Sequence, residues 1–178
     1  SMGVIDPLVF LSDLKKGNAV LPGRRVLVIG GGNTAMDVAR AVKRMQGGNG
    51  SVVVVYRRRM ADMPAEAEEI LAARAENIEF ACLKAPIEVV VAGGKVGGLK
   101  VNTMRTTGIG SDGREKVEAI PNSEEILIAD AIFPAIGQNA ALDFIDNSLL
   151  KKNSDNFSTL LDRVYIGGDV RKGPASII

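Results

Sequence analysis

Two runs of the chain are apolar without polar alternation. Arg25-Val26-Leu27-Val28-Ile29 runs into Gly30-Gly31-Gly32, and Ser51-Val52-Val53-Val54-Val55-Tyr56 runs into a polar stretch. Short β-branched runs of this kind predict strands buried on both faces, as in a parallel sheet. Between them Ala35, Val38, Ala39, Val42 and Met45 recur at helical spacing, which predicts a helix from Thr34 to Met45 ended by Gly47-Gly48-Asn49-Gly50. Strand, helix and strand in about 30 residues make a βαβ unit. A short helix around Pro7–Lys16 precedes it. A polar loop, Arg57–Met63, follows it, then a helix opening at Pro64 and running to Ala75, with proline at a tolerated first-turn position.

Ile78–Leu83 reads as a third strand, after which the period changes. Ile87–Ala92, Gly98–Arg105 and Glu115–Ile120 are short strands split by Gly-rich or Gly/Ser/Asp turns, the pattern of an antiparallel meander. Ala129–Pro134 returns to a buried strand, and Arg163–Ile166 is the last. The stretch Asp143–Asp162 has no readable period and is expected to be loosely ordered. The fold class is α/β: a Rossmann-like parallel sheet with flanking helices and an antiparallel β-meander.

Composition narrows the chemistry. At 178 residues and 46% hydrophobic the chain has the size and apolar content for one substantial core. A net charge of +1 opposes a nucleic-acid or membrane-surface binder. No apolar run reaches the ~20 residues of a transmembrane helix, and no basic-then-apolar leader opens the chain. With no histidine and one cysteine, Cys82, the residues supply no Cys-x-x-Cys pair, no Ser-His-Asp triad and no ordinary transition-metal ligand set. A lone thiol suits a reducing, cytoplasmic setting. Cys82 is expected to be a small apolar group on its strand, and Glu66, Glu68 and Glu69 a solvated helix face.

Gly30-Gly31-Gly32-Asn33-Thr34-Ala35 fits G-x-G-x-x-A after a strand and at the start of a helix, the context that gives this motif weight. Gly30 permits the tight turn, Gly32 lets a pyrophosphate approach the backbone, and Ala35 lets helix and sheet pack closely. The helix start offers N–H groups and a partial positive charge to a diphosphate. Thr34-x-x-Asp37 is a candidate capping box. NAD sites place an acid about 20 residues on, at the end of the second strand. Here that strand ends in Tyr56-Arg57-Arg58-Arg59, and the first carboxylate is Asp62. Arginine suits a 2′-phosphate, so the site reads as NADP(H)-selective. Arg57 is the first candidate for that phosphate, with Arg58 or Arg59 to stack on the adenine.

Further along, Ile132-Phe133-Pro134-Ala135-Ile136-Gly137-Gln138 and Val164-Tyr165-Ile166-Gly167-Gly168-Asp169 each run from a strand into a glycine turn. Asp169 suits a polyol hydroxyl, and the chain after Gly173-Pro174 suits a helix start. Together Val28-Ile29-Gly30-Gly31-Gly32-Asn33-Thr34-Ala35-Met36-Asp37, Tyr56-Arg57-Arg58 with Met63-Pro64-Ala65, Ala135-Ile136-Gly137-Gln138, and Gly167-Gly168-Asp169-Val170 with Gly173-Pro174 resemble the FAD/iron–sulfur NAD(P)H oxidoreductases typified by the glutamate synthase small subunit, to which the flavin domain of dihydropyrimidine dehydrogenase is similar. The resemblance runs from Gly3 to Pro174, and the Arg57/Met63-Pro64 stretch is its most specific part.

The resemblance implies an NADP(H) domain, 22–134, inserted into an FAD domain represented by residues 1–21 and 135–178. It implies that Gly30, Gly32, Asn33 and Thr34 hold the pyrophosphate, that Arg57 and Arg58 hold the 2′-phosphate, that Gly137 marks the return to the FAD domain, and that Gly168 and Asp169 meet the flavin's ribityl–phosphate part. NADPH would give a hydride to FAD, and electrons would pass through iron–sulfur clusters to a partner subunit or domain. Such a transfer needs orientation rather than acid–base groups, so no catalytic side chain is expected. The FAD-binding glycine motif and cluster cysteines of such proteins are missing here, so the chain is expected to be an excised segment that is inactive alone and binds FAD weakly or not at all. Two other readings are a thioredoxin-reductase-like disulfide reductase, opposed by the missing Cys-x-x-Cys, and a non-catalytic dinucleotide sensor, opposed by the Gly-Gly-Asp element.

Overall fold

The computed structural model describes residues 2–110, 115–137 and 158–166. The chain divides into two compact units, Ser1–Ile136 and Gly137–Ile178. The first unit carries α1 (Pro7–Lys15), β1 (Arg25–Ile29), α2 (Asn33–Gln46), β2 (Ser51–Tyr56), α3 (Ala67–Ala75), β3 (Glu79–Cys82), β4 (Lys84–Ala92), β5 (Lys95–Ile109), β6 (Glu115–Ile128) and β7 (Ala131–Pro134).

Four strands form a parallel sheet in the order β3-β2-β1-β7, and β4-β5-β6 form an antiparallel one. β1 is central because the fourth strand, distant in sequence, pairs on its free side from Val26↔Ala131 to Ile29↔Pro134. Alternate β1 residues then face two cores. Val26 and Val28 join α2 residues Ala35, Met36, Val38, Ala39 and Val42 on one side. Leu27 and Ile29 join Val96, Leu99 and Val101 of the meander on the other. Burial on both faces is why β1 and β2 lack alternation. Each fully buried valine contributes roughly 1.5–3 kcal/mol.

The N-terminal residues belong to this unit. Ile5 N–H donates to Ile132 O at 3.0 Å, and Ile132 N–H to Gly3 O at 2.8 Å. α1 is capped by Asp6, whose Oδ1 accepts from Leu8 and Val9 N–H. Its Phe10 packs on Phe133, ring centroids 4.9 Å apart. At the opposite end of β1, Asp130 Oδ2 accepts from Arg24 and Arg25 N–H at 3.1 and 2.9 Å. Its Oδ1 meets the Arg25 guanidinium at 2.6 Å.

Several elements differ from the sequence expectation. The Thr34-x-x-Asp37 capping box does not form: Gly32 occupies the cap of α2 without a side-chain bond, and Thr34 is already helical. α3 starts at Ala67, not Pro64, because the preceding residues are bonded elsewhere: Ala65 N–H to Gly31 O at 3.0 Å and Glu66 N–H to Asn33 Oδ1 at 2.9 Å. β5 and β6 are longer than expected, pairing out to Ile109↔Glu115. Arg105–Ile109 are exposed, so no apolar alternation marks that part of the ribbon. Over Arg163–Ile166 there is no strand, only a bridge between Ser158 and Tyr165 closed by Thr159 N–H to Val164 O at 3.1 Å. Most of the expected loose stretch Asp143–Asp162 lies outside the described residues.

Candidate functional site

β1 passes into α2 through three glycines with three different reasons. Gly30 has φ +137°, and a Cβ there would lie 2.2 Å from Ala135 O. The backbone just past the end of β7 lies beside it, with Ala135 N–H donating to Ile29 O at 2.7 Å. Gly31 has no room either: its Cβ would stand 2.8 Å from Tyr56 Cε2 and 3.1 Å from Met63 Cγ. Gly32 is the opposite case. Its backbone is extended, and a Cβ would meet nothing within 4 Å. The fold does not need glycine there, so the open space at the helix start is available to a ligand.

That space borders the N-terminus of a 14-residue helix. Gly32 O accepts from Ala35 and Met36 N–H at 3.0 and 3.2 Å. The N–H groups of Asn33 and Thr34 take no acceptor among the described residues, as expected for the first turn, and offer a cradle for an anion. Asn33 Oδ1 accepts from Glu66 N–H at 2.9 Å. The side chain expected to hold the pyrophosphate thus also pins the segment after Pro64 to the helix start.

The arginine segment lies beside this turn, since Val55 at the end of β2 pairs with Ile29 and accepts from Gly30 N–H at 3.0 Å. Tyr56 Oη donates to Asp62 O at 2.8 Å and braces the loop, in which Met60–Asp62 form a single 3-10 turn. Arg57 is exposed and has no ion-pair or hydrogen-bond partner among the described residues. Arg58 is half-buried, and its Nε is buried without a partner among them. Arg59 is different: Nε meets Asp62 Oδ2 at 3.1 Å and Nη1 meets Glu115 Oε1 at 2.7 Å. The hydrogen bond from Arg59 holds the Asp62 carboxyl below the usual carboxylate range and helps hold the guanidinium charged. Of the two arginines considered for the adenine, Arg59 is therefore engaged by acids.

Gly137 has φ +98°, and a Cβ there would meet nothing within 4 Å. Gly168 and Asp169 lie outside the described residues. Cys82 is half-buried, and burial pushes its thiol up. Glu66 and Glu68 are exposed, as expected of a solvated helix face, but Glu69 is not free: its Oε2 meets Arg40 Nη1 at 2.5 Å, and Arg40 also reaches Glu76 at 3.0 Å, tying α3 to α2. Sequence reasoning missed Gly31, Asp62 and Glu115. Gly31 sits in the motif's variable position, and Glu115 reaches the site only through folding. Among the described residues no helix is long and apolar enough to cross a membrane.

The family profile of pyridine nucleotide-disulphide oxidoreductases matches residues 8–178. The β subunit of the NADP(+)-dependent formate dehydrogenase of Moorella thermoacetica is 33% identical over 184 residues, 99% of this chain and 26% of the relative. The glutamate synthase [NADPH] small chain of Escherichia coli K12 is 33% identical over 171 residues, covering 89% of this chain and 36% of the relative. The chain thus spans about a quarter to a third of these relatives. Among solved structures, FprA from Mycobacterium tuberculosis in complex with NADPH superposes with a TM-score of 0.69 at 18% identity, over 97% of this chain and 54% of that one. That likeness is one of fold.

Proposed function

Because the chain belongs to the pyridine nucleotide-disulphide oxidoreductase family, we propose that it binds NADP(H) at the glycine turn and presents the nicotinamide to a flavin in the whole protein. The observation that carries this reading is the pairing of an open Gly32 at the start of α2 with an exposed Arg57, without a partner among the described residues, at the end of the adjoining strand. The residues present fit the coenzyme. The free N–H groups of Asn33 and Thr34 suit the diphosphate, with Gly30 holding the turn that aims them. Arg57 and Arg58 suit the 2′-phosphate, each charge-assisted bond contributing about 1.5–3 kcal/mol. One such bond exceeds the ~1.4 kcal/mol that makes a tenfold preference over NAD(H).

When bound, the nicotinamide supplies a hydride and FAD accepts it. The chain's own part is binding and orientation: Asn33 and Tyr56 brace the loop so that the arginines and the helix start face one ligand. The domain proper is residues 22–134, flanked by 1–21 and 135–178 of an FAD domain, where Gly137 turns the chain and Gly168 and Asp169 meet the flavin. Relatives named as a β subunit and a small chain support onward transfer to a partner, and transfer through iron–sulfur clusters is what the resemblance adds to that reading.

The test is the pair of dissociation constants for NADPH and NADH before and after Arg57→Glu. Reversing the charge is expected to weaken NADPH by tenfold or more, about 1.4 kcal/mol, and to abolish the preference. An unchanged ratio of the two constants refutes the reading.

A further inference from the structure

We infer that Arg59 sets the coenzyme preference without touching the coenzyme, by neutralising two carboxylates that would otherwise repel the 2′-phosphate. This rests on the reading of Arg57 as the phosphate's partner. The three consecutive arginines look alike in sequence, yet among the described residues only Arg59 has ion-pair partners, Asp62 at 3.1 Å and Glu115 at 2.7 Å. The backbone of Asp62 is held beside the strand end: its carbonyl accepts from Tyr56 Oη at 2.8 Å, and Tyr56 itself ends β2, where an NAD site places its selecting acid. The fold has thus returned a carboxylate to the neighbourhood from which the strand end omits it. Asp62 also lies within electrostatic reach of Arg58.

Both acids are poorly hydrated, with side chains 10% and 22% exposed, so water screens them weakly. Glu115 Oε2 is buried with no partner among the described residues, so its charge leans on the one contact with Arg59. Arg58 and Arg59 balance Asp62 and Glu115 and leave Arg57 as the uncompensated charge. Without Arg59 the cluster carries no net positive charge, and Asp62 is released to accept from a ribose 2′-hydroxyl.

The experiment measures NADPH and NADH dissociation constants calorimetrically on the whole protein as wild type, R59Q, D62N, R59Q/D62N and R59K, with melting curves for each. R59Q is expected to weaken NADPH roughly tenfold and NADH by less than about twofold, the order of one unit charge acting over about 10 Å at a protein surface. Added salt should shrink the difference. R59Q/D62N is expected to regain most of the lost NADPH affinity, and R59K to keep the wild-type preference. A double variant as weak as R59Q would mean that Arg59 grips the ligand itself and overturns the inference. So does equal weakening of both coenzymes, or lost preference in an R59K protein that melts normally. An Arg57→Glu variant with an unchanged coenzyme ratio overturns the underlying reading and this inference with it. A normal Arg57→Glu response beside an inert R59Q overturns this inference alone.

Discussion

Gly30→Ala and Gly32→Ala delete no interaction and add the same methyl two residues apart, but they are expected to fail in different assays. At Gly30 the methyl would sit 2.2 Å from Ala135 O, a backbone atom fixed in the parallel sheet, on a φ of +137°. A strained backbone of this kind costs on the order of 1–3 kcal/mol. Separating the ends of β1 and β7 also endangers the 2.7 Å bond from Ala135 N–H to Ile29 O, a further ~1 kcal/mol. A loss of about 2–4 kcal/mol lowers the melting temperature by roughly 5–15 °C in a chain of this size. At Gly32 the backbone is extended and the space empty, so alanine costs less than about 1 kcal/mol as a poorer helix cap. There the methyl stands in the proposed path of the diphosphate and should weaken NADPH by tenfold or more, about 1.4 kcal/mol. Melting curves without coenzyme, followed by NADPH titrations, separate the two. A Gly32→Ala protein that binds NADPH as wild type does, or a Gly30→Ala protein that melts as wild type does, refutes the reasoning.

Gly31→Ala would press on the Tyr56 ring at 2.8 Å and displace the hydroxyl from Asp62 O. About 1–2 kcal/mol of stability should be lost, with faster amide exchange across residues 57–63 as the check. Arg25 holds the Asp130 carboxyl below its ordinary range. Its stabilisation is therefore present above the unfolded-state value, near 3.9, and is lost as pH falls through the lower folded-state value. Asp130→Asn should cost about 1 kcal/mol at neutral pH, since the pair is half in water. It should also flatten the acid limb of a stability–pH curve; an unchanged limb contradicts the assignment. Cys82, raised by burial, should react with iodoacetamide at pH 8 more slowly than glutathione under the same conditions.

The glycine turn, its flanking strands and the following helix were readable because their signals are local. Val26–Ile29 and Val52–Val55 lack alternation whatever lies around them, and Gly30-x-Gly32 sits at the junction where strand period gives way to helix period. The helix over Ala67–Ala75 was misplaced at its start because what draws Ala65 and Glu66 away, Gly31 O and Asn33 Oδ1, is more than 30 residues distant. The far part of the β5–β6 ribbon was missed because its exposed residues carry no apolar stripe.

At the candidate site the same division holds. Which residue types are present at the end of β2, and that no acid stands there, is a property of the sequence alone, because successive residues of a strand end are neighbours in any fold. What those arginines are free to do is not. Arg57 is left open while Arg59 is claimed by Glu115, 56 positions away and delivered by the meander. Charge interactions depend on separation in space and on access to water, and only the folded chain sets those two quantities.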